Sequence, residues 1–341
     1  MQTVRATNLV GNGSGLTNLN ASNITSGIFT GNGGGLTNLN ASRVFNVIHY
    51  GGSGNGVADN TDAITNALAA AVLAGGGTIY FPAGLYRIAS PITIPTSGVH
   101  QASIRIIGDG QDFNQRRSPT TGSVLLMDAT NGLAKLTSLG CGSLEIAQLS
   151  MLDTNATSVP FLFVTYTALH CHDVTFYGKN NALLGDTPTQ DAILLGGTNG
   201  LDISSVASNA PFQGYITVIE ACNFDRIRRA VYLRAYGNSV VIQNNSVWQH
   251  CGGDAAMESD GFGALTEAYY NHGIVFQNNL IELIGGYAYG IKLTNSSECS
   301  LVNNAMWDAT TNYVAGVWFC ANSPKNFLIA GTDGGSGFGL S

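Results

Sequence analysis

Short segments in which apolar and polar residues alternate recur along the chain, each with a polar residue at a fixed place. Alternation over so few residues predicts β-strands. Equivalent positions in successive segments lie 48, 23, 34 and 25 residues apart, and a parallel β-helix adds one coil roughly every 20–30 residues. We therefore interpret the 48-residue spacing as two coils and the 34-residue spacing as one coil with an insertion. The segments are CHDVTF (171–176), IEACNF (219–224), IQNNSV (242–247), FQNNLI (276–281) and LVNNAM (301–306).

Stacking these segments predicts two columns of apolar side chains that point inward. Continuous apolar columns suit parallel strands covered by neighbouring coils, and asparagine at the turns can hydrogen-bond the coils above and below. The pattern thus predicts an all-β chain that winds as a single-stranded parallel β-helix of roughly ten or eleven coils from residue 45 onward. The first column holds Cys171, Ile219, Ile242, Phe276 and Leu301, and the second holds Phe176, Phe224, Val247, Ile281 and Met306.

The stretch before these coils has the periodicity of a helix. Residues 62–74 contain strong helix formers, and their apolar residues fall on one helical face: Ile64, Ala67, Leu68, Ala71 and Val72. Asn60 or Thr61 can cap its start, and one glycine of Gly75-Gly76-Gly77 can end it in the left-handed conformation. Short strands are expected at residues 45–49 and 78–81 on either side of the helix.

This stretch also resembles a known signature. The sequence VFNVIHYGGSGNGVADNTDAITNALAAAVLAGGGTIYFPAGLYRI, which begins at Val44, is similar to the N-terminal signature of the pectate-lyase-like superfamily. The resemblance implies a right-handed parallel β-helix whose open end is covered by the helix at 62–74. An uncovered end would present unpaired strand groups. The superfamily's lyase motifs are not identifiable here, so the resemblance carries over the fold and not an activity.

A repeat precedes the signature. Residues 11–24 read GNGSGLTNLNASNI and residues 31–44 read GNGGGLTNLNASRV. One unit has too few apolar residues to fold alone against its backbone entropy, so the repeat predicts a stacked stalk; a flexible linker is the alternative. The unit resembles repeats in bacteriophage tail-fibre and tail-spike proteins. That implies a homotrimer, attachment to other virion tail proteins through residues 1–44, and a polysaccharide on the host surface as the receptor.

We therefore expect four parts, namely a stalk at 1–44, a cap region at 45–95, a β-helix at 96–330 and a C-terminal tip or tail at 331–341. Charged residues make up only 10% of the chain and the net charge is −7, which argues against nucleic acid as a partner. The sequence contains no run of eighteen apolar residues, so we expect no membrane insertion. The N-terminus lacks the apolar core of a secretory signal, which fits assembly in the host cytoplasm, release by lysis and action outside the cell as part of the virion.

We expect no cofactor and no metal ion. The six cysteines include no CxxC pair and are interpreted as buried free thiols. The run His170-Cys171-His172-Asp173 contains metal-ligand residue types. Alternation along a strand nevertheless turns Cys171 inward and both histidines outward, so these side chains cannot converge on one ion.

The same register predicts a surface suited to sugars. An aromatic ring stacks on the apolar face of a pyranose, and carboxylates and amides bind its hydroxyl groups. Directly after the second inward column we expect an exposed outward column of Tyr177, Asp225, Trp248, Glu282 and Trp307. A second outward column contains Glu220 and Gln243, and an inserted loop at 251–270 contributes Tyr270. The candidate carbohydrate-binding residues are Trp248, Trp307, Tyr177, Glu220, Arg226, Gln243 and Tyr270.

Two carboxylates are enough to hydrolyse a glycoside. Glu282 and Asp308 are expected on adjacent coils, ~5–7 Å apart by the strand spacing, which suits a retaining mechanism. Asp225 and Glu282 are expected two coils apart, ~9–10 Å, at the edge of the inverting range. The alternative is that these acids form a solvated surface. Three functions stay open: a non-enzymatic tail-spike adhesin, a polysaccharide depolymerase with glycosidase or lyase activity, and a carbohydrate enzyme of a bacterial cell.

Overall fold

The structure is a computed structural model, and it describes residues 43–95, 102–112, 118–180, 187–196, 215–234, 238–250, 255–261, 271–283, 289–308, 317–319 and 327–329. The chain divides between Ser42 and Arg43, so every described residue belongs to the second unit. The predicted stalk lies outside the described residues apart from Arg43 and Val44, as does the predicted tip at 331–341. The other predicted domain boundaries stay predictions.

Apart from one α-helix, the regular structure of the described residues is almost entirely β-strand. In chain order the elements are β1 (Val44–Asn46), β2 (Asn55–Asp59), α1 (Thr61–Leu73), β3 (Gly76–Phe81), β4 (Gly84–Ile88), β5 (Ile92–Ile94), β6 (Ser103–Gly108), β7 (Ser123–Met127), β8 (Leu136–Leu139), β9 (Ser143–Asp153), β10 (Leu162–Thr165), β11 (Ala168–Tyr177), β12 (Asp191–Gly196), β13 (Tyr215–Glu220), β14 (Asn223–Asp225), β15 (Arg229–Arg234), β16 (Asn238–Gln243), β17 (Ser246–His250), β18 (Ala255–Asp260), β19 (Asn271–Gln277), β20 (Leu280–Leu283), β21 (Tyr289–Thr294), β22 (Ser296–Ser297), β23 (Ser300–Val302), β24 (Ala305–Asp308), β25 (Val317–Phe319) and β26 (Phe327–Ile329).

The strands stack in parallel on three faces, an arrangement consistent with a right-handed parallel β-helix. The first face stacks β1, β3, β6, β9, β11, β13, β16, β19, β23 and β26. The second face stacks β2, β4, β7, the ends of β9 and β11, then β14, β17, β20 and β24. The third face stacks β5, β8, β10, β12, β15, β18, β21 and β25. Each coil therefore contributes a strand to each face, and equivalent residues lie above one another.

The predicted apolar columns are confirmed residue by residue. On the first face Cys171 pairs with Ile219 and Ile219 with Ile242, and the column continues to Leu301. On the second face Phe176 pairs with Phe224, and that column continues to Met306. All ten side chains are buried in one hydrophobic core.

One spacing was misinterpreted. Cys171 pairs directly with Ile219, so the 48 residues between equivalent positions form one coil and not two. That coil includes β12 on the third face and a long connection before β13. Sequence spacing measures chain length and not the number of coils, because an inserted loop leaves the stacking register unchanged.

Asparagine shapes the turn between the first and second faces. Asn244, Asn278 and Asn303 have φ of 55°, 53° and 51°, a left-handed conformation that asparagine tolerates better than most residues. Each is followed by a buried asparagine, and Asn245, Asn279 and Asn304 stack as a ladder.

Each ladder side chain connects neighbouring coils. Asn279 Nδ2 donates to the Ile242 carbonyl at 2.9 Å and to Asn304 Oδ1 at 2.9 Å, and Asn279 Oδ1 accepts from the backbone N–H of Asn245 at 3.2 Å. The turns therefore do hydrogen-bond adjacent coils, as predicted. The same position holds Leu149 and Val174 in earlier coils, so the ladder occupies only the later part of the stack.

The N-terminal region forms the predicted helix with small differences. Helix α1 begins at Thr61 and ends at Leu73, and Gly75 takes the left-handed conformation with φ of 77°. The N-cap residue Asn60 makes no capping bond; its Oδ1 accepts from the backbone N–H of Ser53 instead. The strand expected at 45–49 stops at Asn46 and continues as a 3-10 turn at Val47–Tyr50. The apolar face of α1 joins the main core, and its role as a cover for the open end stays a prediction.

The predicted loop at 251–270 is partly wrong. Residues 255–260 form β18, which pairs with β15 and β21 on the third face. Glu258 in this strand is buried and forms ion pairs with Arg229 at 2.8 Å and Lys292 at 3.2 Å. Its apolar neighbours Ala255, Ala256 and Met257 are also buried, which explains why the segment continues the stack. Tyr270 lies outside the described residues.

Cys141, Cys171, Cys222 and Cys299 are buried free thiols, as predicted for the cysteines. Within the part of the chain that the structure describes, no helix has the length and hydropathy needed to cross a membrane.

Candidate functional site

The second face carries the predicted outward column. Tyr177 pairs with Asp225, and Asp225 pairs with Trp248; one coil further, Glu282 pairs with Trp307. Tyr177, Asp225, Trp248 and Glu282 each directly follow a core residue such as Phe224 or Ile281, so strand alternation points their side chains away from the core. The sequence register therefore places these positions correctly.

Exposure differs from the prediction. Trp248 and Glu282 are partly exposed, whereas Asp225 is 0% and Tyr177 is 2% exposed. A side chain that points away from the core is thus not necessarily in contact with solvent. The expected open groove is open at Trp248 and Glu282 and enclosed at Tyr177 and Asp225.

The enclosed carboxyl group of Asp225 is electrostatically unusual. Neither of its oxygens accepts a hydrogen bond of good geometry from a described residue, although the backbone N–H of Arg226 is close enough to lower its pKa. Burial raises the pKa of Asp225 to about 7, the adjacent Arg226 opposes that rise, and the negative charge of Glu282 adds to it. Asp225 and Glu282 thus act on each other across two strand spacings, ~9–10 Å. An acid that keeps its proton near neutral pH can serve as a general acid.

Arg226 extends the site beyond the end of β14. Its φ of 58° is left-handed, and its guanidinium carbon lies 4.7 Å from the centre of the Tyr177 ring. Arg226 and Tyr177 line a cavity of about 150 Å³ together with Lys179, Ser118 and Thr154. Asp153 also lines this cavity, but its carboxylate is paired with the fully buried Lys135. The cavity therefore presents a net positive wall beside Asp225.

Glu282 and Asp308 are offset by one residue on the paired strands β20 and β24, and a separate register shift lies between β17 and β20. Val247 pairs with Ile281, but the next pair is His250 with Leu283, so β17 carries an additional residue opposite Glu282. In the following coil Glu282 pairs with Trp307, and Asp308 pairs with Leu283. The two acids proposed for a retaining mechanism are therefore not register partners, although they lie on adjacent strands. The side chains of Trp307 and Asp308 lie outside the described part of the structure.

Glu220 and Gln243 belong to a different surface. They lie on the first face, where Gln243 Nε2 donates to Glu220 Oε2 at 2.8 Å and His170 Nε2 lies 2.9 Å from Glu220 Oε1. The left-handed Ala221 turns the chain between Glu220 and β14. The structure thus does not bring these two predicted sugar-binding residues onto the face that holds Asp225 and Trp248.

The histidine run has the predicted orientation. Cys171 is fully buried, while the rings of His170 and His172 lie side by side with centroids 4.4 Å apart on the outer surface. Glu145, which sequence reasoning did not single out, lies 3.3 Å from His172 Nε2 and is also bonded to Arg105. Among the described residues no group of three or more His, Cys, Asp or Glu side chains could hold a metal ion.

Sequence reasoning missed Asn223, which precedes Asp225 by two residues on β14. Both residues flank the inward Phe224, so both point away from the core. Alternation around Phe224 was the signal that could have found it. The predicted sugar-binding positions did not include the residue that precedes each member of the second inward column.

Two comparisons with known proteins bear on this site. A family profile described as rhamnogalacturonase A/epimerase, pectate lyase-like matches residues 44–258, a range that includes Asn223, Asp225, Arg226 and Trp248. No curated protein matches the sequence significantly.

Solved structures share the fold at low identity. A thermostable α-1,3-glucanase from Streptomyces thermodiastaticus has a TM-score of 0.52 at 15% identity, covering 81% of this chain and 41% of that one. The phiAB6 tailspike, solved with oligosaccharides of Acinetobacter baumannii surface polysaccharide, has a TM-score of 0.52 at 14% identity, covering 85% and 47%. DFA-IIIase from Arthrobacter chlorophenolicus has a TM-score of 0.50 at 14% identity, covering 82% and 79%. The chain spans less than half the length of the first two.

Proposed function

The chain belongs to the rhamnogalacturonase A/epimerase, pectate lyase-like family, and from this premise we propose that it binds a polysaccharide on its second face as a bacteriophage tail spike or tail fibre. The observation that carries the proposal is the column of Trp248, Glu282, Asp225 and Tyr177 with Arg226 beside it. It combines an accessible aromatic ring with carboxylates and a cation, which are the groups that bind sugar rings and hydroxyls.

The tail-spike role has separate support. The GNGxGLTNLNAS repeats resemble those of phage tail proteins, and the phiAB6 tailspike shares the fold. In this proposal residues 1–44 join other virion tail proteins, three copies of the chain assemble, and the receptor is a polysaccharide of the host surface. The protein is made in the host cytoplasm and acts outside the cell as part of the virion.

Binding is tested with the full chain and a panel of immobilised glycans, namely bacterial capsular polysaccharides, lipopolysaccharide O-antigens and a pectic rhamnogalacturonan. We expect wild type to be retained on at least one, and Trp248→Ala to weaken retention at least about tenfold because a stacking ring is lost. Tyr166→Ala is the matched control, since Tyr166 is an aromatic residue exposed outside the site. Retention of wild type on no glycan, or equal loss in both variants, contradicts the proposal.

A second function, polysaccharide depolymerisation, is favoured by the buried Asp225. With its pKa raised to about 7, Asp225 can donate a proton to the glycosidic oxygen while Glu282 removes a proton from the attacking water. The bond to the leaving sugar breaks, the water oxygen bonds to the anomeric carbon, and the configuration inverts. The separation of ~9–10 Å leaves room for that water.

New reducing ends distinguish cleavage from adhesion. If the protein is a depolymerase, wild type releases them from the retained polysaccharide, and Asp225→Asn and Glu282→Gln each reduce the rate by about a hundredfold or more. Asp173→Asn serves as a control because Asp173 is an exposed acid in the turn between the first and second faces, where asparagine also accepts its left-handed backbone. Retention of the polysaccharide without new reducing ends excludes depolymerisation and leaves the adhesin.

A further inference from the structure

Asn223 is a buried amide that the fold does not use. Its side chain is 1% exposed, and neither Nδ2 nor Oδ1 has a hydrogen-bond partner among the described residues. Backbone pairing places it between Thr175 and Ser246 on the second face. Because Phe224 between them points into the core, Asn223 and Asp225 project from the same side of β14.

The unpartnered atoms are concentrated around this strand. Eleven buried side-chain polar atoms of the described residues lack a partner, and six of them belong to Asn223, Asp225, Arg226 and Trp248. An unsatisfied buried polar group destabilises the folded state, so such groups are rare in folded proteins and call for an explanation. Here donors and acceptors of both kinds occur side by side, a combination that matches hydroxyl groups, each of which can both donate and accept.

The same protein shows how it buries asparagine for structural purposes. Asn245, 1% exposed and one coil further, donates from Nδ2 to the Ile219 carbonyl at 3.0 Å and to Asn279 Oδ1 at 3.0 Å, and its Oδ1 accepts from the backbone N–H of Cys222 at 2.9 Å. Asn223 has an equally buried amide with none of these bonds. A role in holding coils together therefore explains Asn245 and does not explain Asn223.

We propose that Asn223 and Asp225 form a specificity-determining pair that binds two hydroxyl groups of one sugar residue, with Trp248 Nε1 and Arg226 Nε as additional donors. The inference rests on the proposed glycan binding and adds the residues that recognise the sugar. An amide supplies both a donor and an acceptor, which matches a hydroxyl group. Residues two apart on a strand lie ~7 Å apart, so a ligand must present two polar groups to satisfy both.

Accessible surface adjoins the pair on both sides. Asp225 is paired with Tyr177, which lines the cavity of about 150 Å³, and with Trp248, which is partly exposed. Asn223 and Asp225 are themselves buried and do not line this cavity, so a glycan that stacks on Trp248 and places a substituent beside Arg226 contacts the pair only when the groups that cover it move aside.

Asn223→Leu tests the inference because leucine has a similar volume and no polar atom. Removing an unsatisfied amide is neutral or stabilising, so we expect an unchanged or higher melting temperature and at least about tenfold weaker binding to the polysaccharide that retains wild type. Asn245→Leu is the matched control, and it should lower the melting temperature because it breaks the ladder. Ser246→Ala, a change beside Asn223 on the next strand, should leave both measurements unchanged.

Each result has a defined meaning. If the Asn223→Leu variant is less stable than wild type, the inference is overturned, because Asn223 then has a structural role. The Asn223→Ala variant repeats this comparison with a smaller residue. Wild-type affinity in a stable Asn223→Leu variant overturns the inference and leaves the proposed function intact. Retention of wild type on no polysaccharide of the panel overturns the proposed function, whatever the stability of the variants.

Discussion

Asp225 and Asp191 are both aspartates, but their surroundings shift their pKa values in opposite directions. Both are buried. Burial would raise the pKa of Asp191 as well, but hydrogen bonds from Arg228 and Arg229 outweigh it and hold that pKa below its usual value. Asp225 has no such bond, and burial dominates. One carboxylate is therefore a structural anion, and the other is a group poised to exchange a proton.

The raised pKa of Asp225 predicts a pH-dependent stability. Between about pH 4 and pH 7 the unfolded chain releases a proton that folded Asp225 retains, so the free energy of unfolding falls as pH rises through this window. Asp225→Asn removes the effect. We expect equal stability near pH 4 and an advantage for the variant of up to about 4 kcal/mol at pH 7 and above. Thermal unfolding of both proteins across this range measures it, and parallel curves would contradict it.

Asp191→Asn should act in the opposite direction. The lowered pKa of Asp191 contributes stability that is present above its unfolded pKa and is lost as pH falls through the folded value. At pH 7 the substitution leaves Arg229 buried with one carboxylate fewer, and we expect a loss of about 3 kcal/mol in the free energy of unfolding. Denaturant titrations at pH 7 and pH 3 test this, since the loss should shrink at the lower pH.

At the residue scale, the sequence predicted which way a side chain points from its strand but not whether that side chain is buried. Alternation around Phe224 gave the outward direction of Asp225, because that depends only on strand geometry. Its enclosure could not be predicted, because burial of an outward side chain depends on residues distant in sequence. The same limit explains Glu220 and Gln243, whose outward orientation was correct but whose face is separated from Asp225 by the turn at Ala221.

At the scale of single elements, two consecutive asparagines have different roles in the turn between the first and second faces. Asn278 supplies a left-handed backbone and one exposed hydrogen bond, from its Nδ2 to Asn244 Oδ1 at 3.2 Å, while Asn279 is buried and supplies several. The doublet NN in the sequence contains both roles. Sequence analysis identified the turn from this doublet, whereas the distinction between the two residues required the structure.

The two roles predict unequal costs. Asn279→Leu removes bonds to the Ile242 carbonyl, to Asn304 and from Asn245, and the buried groups left unpaired should cost about 3 kcal/mol or more. Asn278→Gly keeps a residue that accepts positive φ, so it should change the free energy of unfolding by less than about 1 kcal/mol. Chemical denaturation of the two variants tests this, and equal losses would show that the ladder is not the stronger element.

At the scale of the whole molecule, the register was predictable and the number of residues per coil was not. Apolar columns are fixed by burial between neighbouring coils, and a slip of one residue would expose all of them. The connections between strands carry no such constraint. That is why Cys171 and Ile219 were correctly predicted to share one column, whereas their direct pairing was missed because the 48 residues between them were assigned to two coils.

The proposed trimer is a prediction at this scale. Only 10% of residues are charged, and the outer surface of the first face carries a row of half-buried Val218, Val241 and Val275 on paired strands. A row of partly exposed apolar side chains of this kind can pack against copies of itself. Light scattering of the full chain after size-exclusion chromatography should give the mass of three chains, and the mass of one chain would contradict the proposal.

The asparagine ladder also bears on how such a chain could change in length. A coil that carries the ladder asparagine offers the same donors and acceptors to its successor as its predecessor offered to it. Duplicating such a coil next to Asn279 leaves every amide matched, whereas inserting one between Leu149 and Val174 would set a buried amide against methyl groups. A coil with the ladder asparagine can therefore be added among the later coils without leaving an amide unpaired, whereas an earlier position accepts only a coil with an apolar residue there.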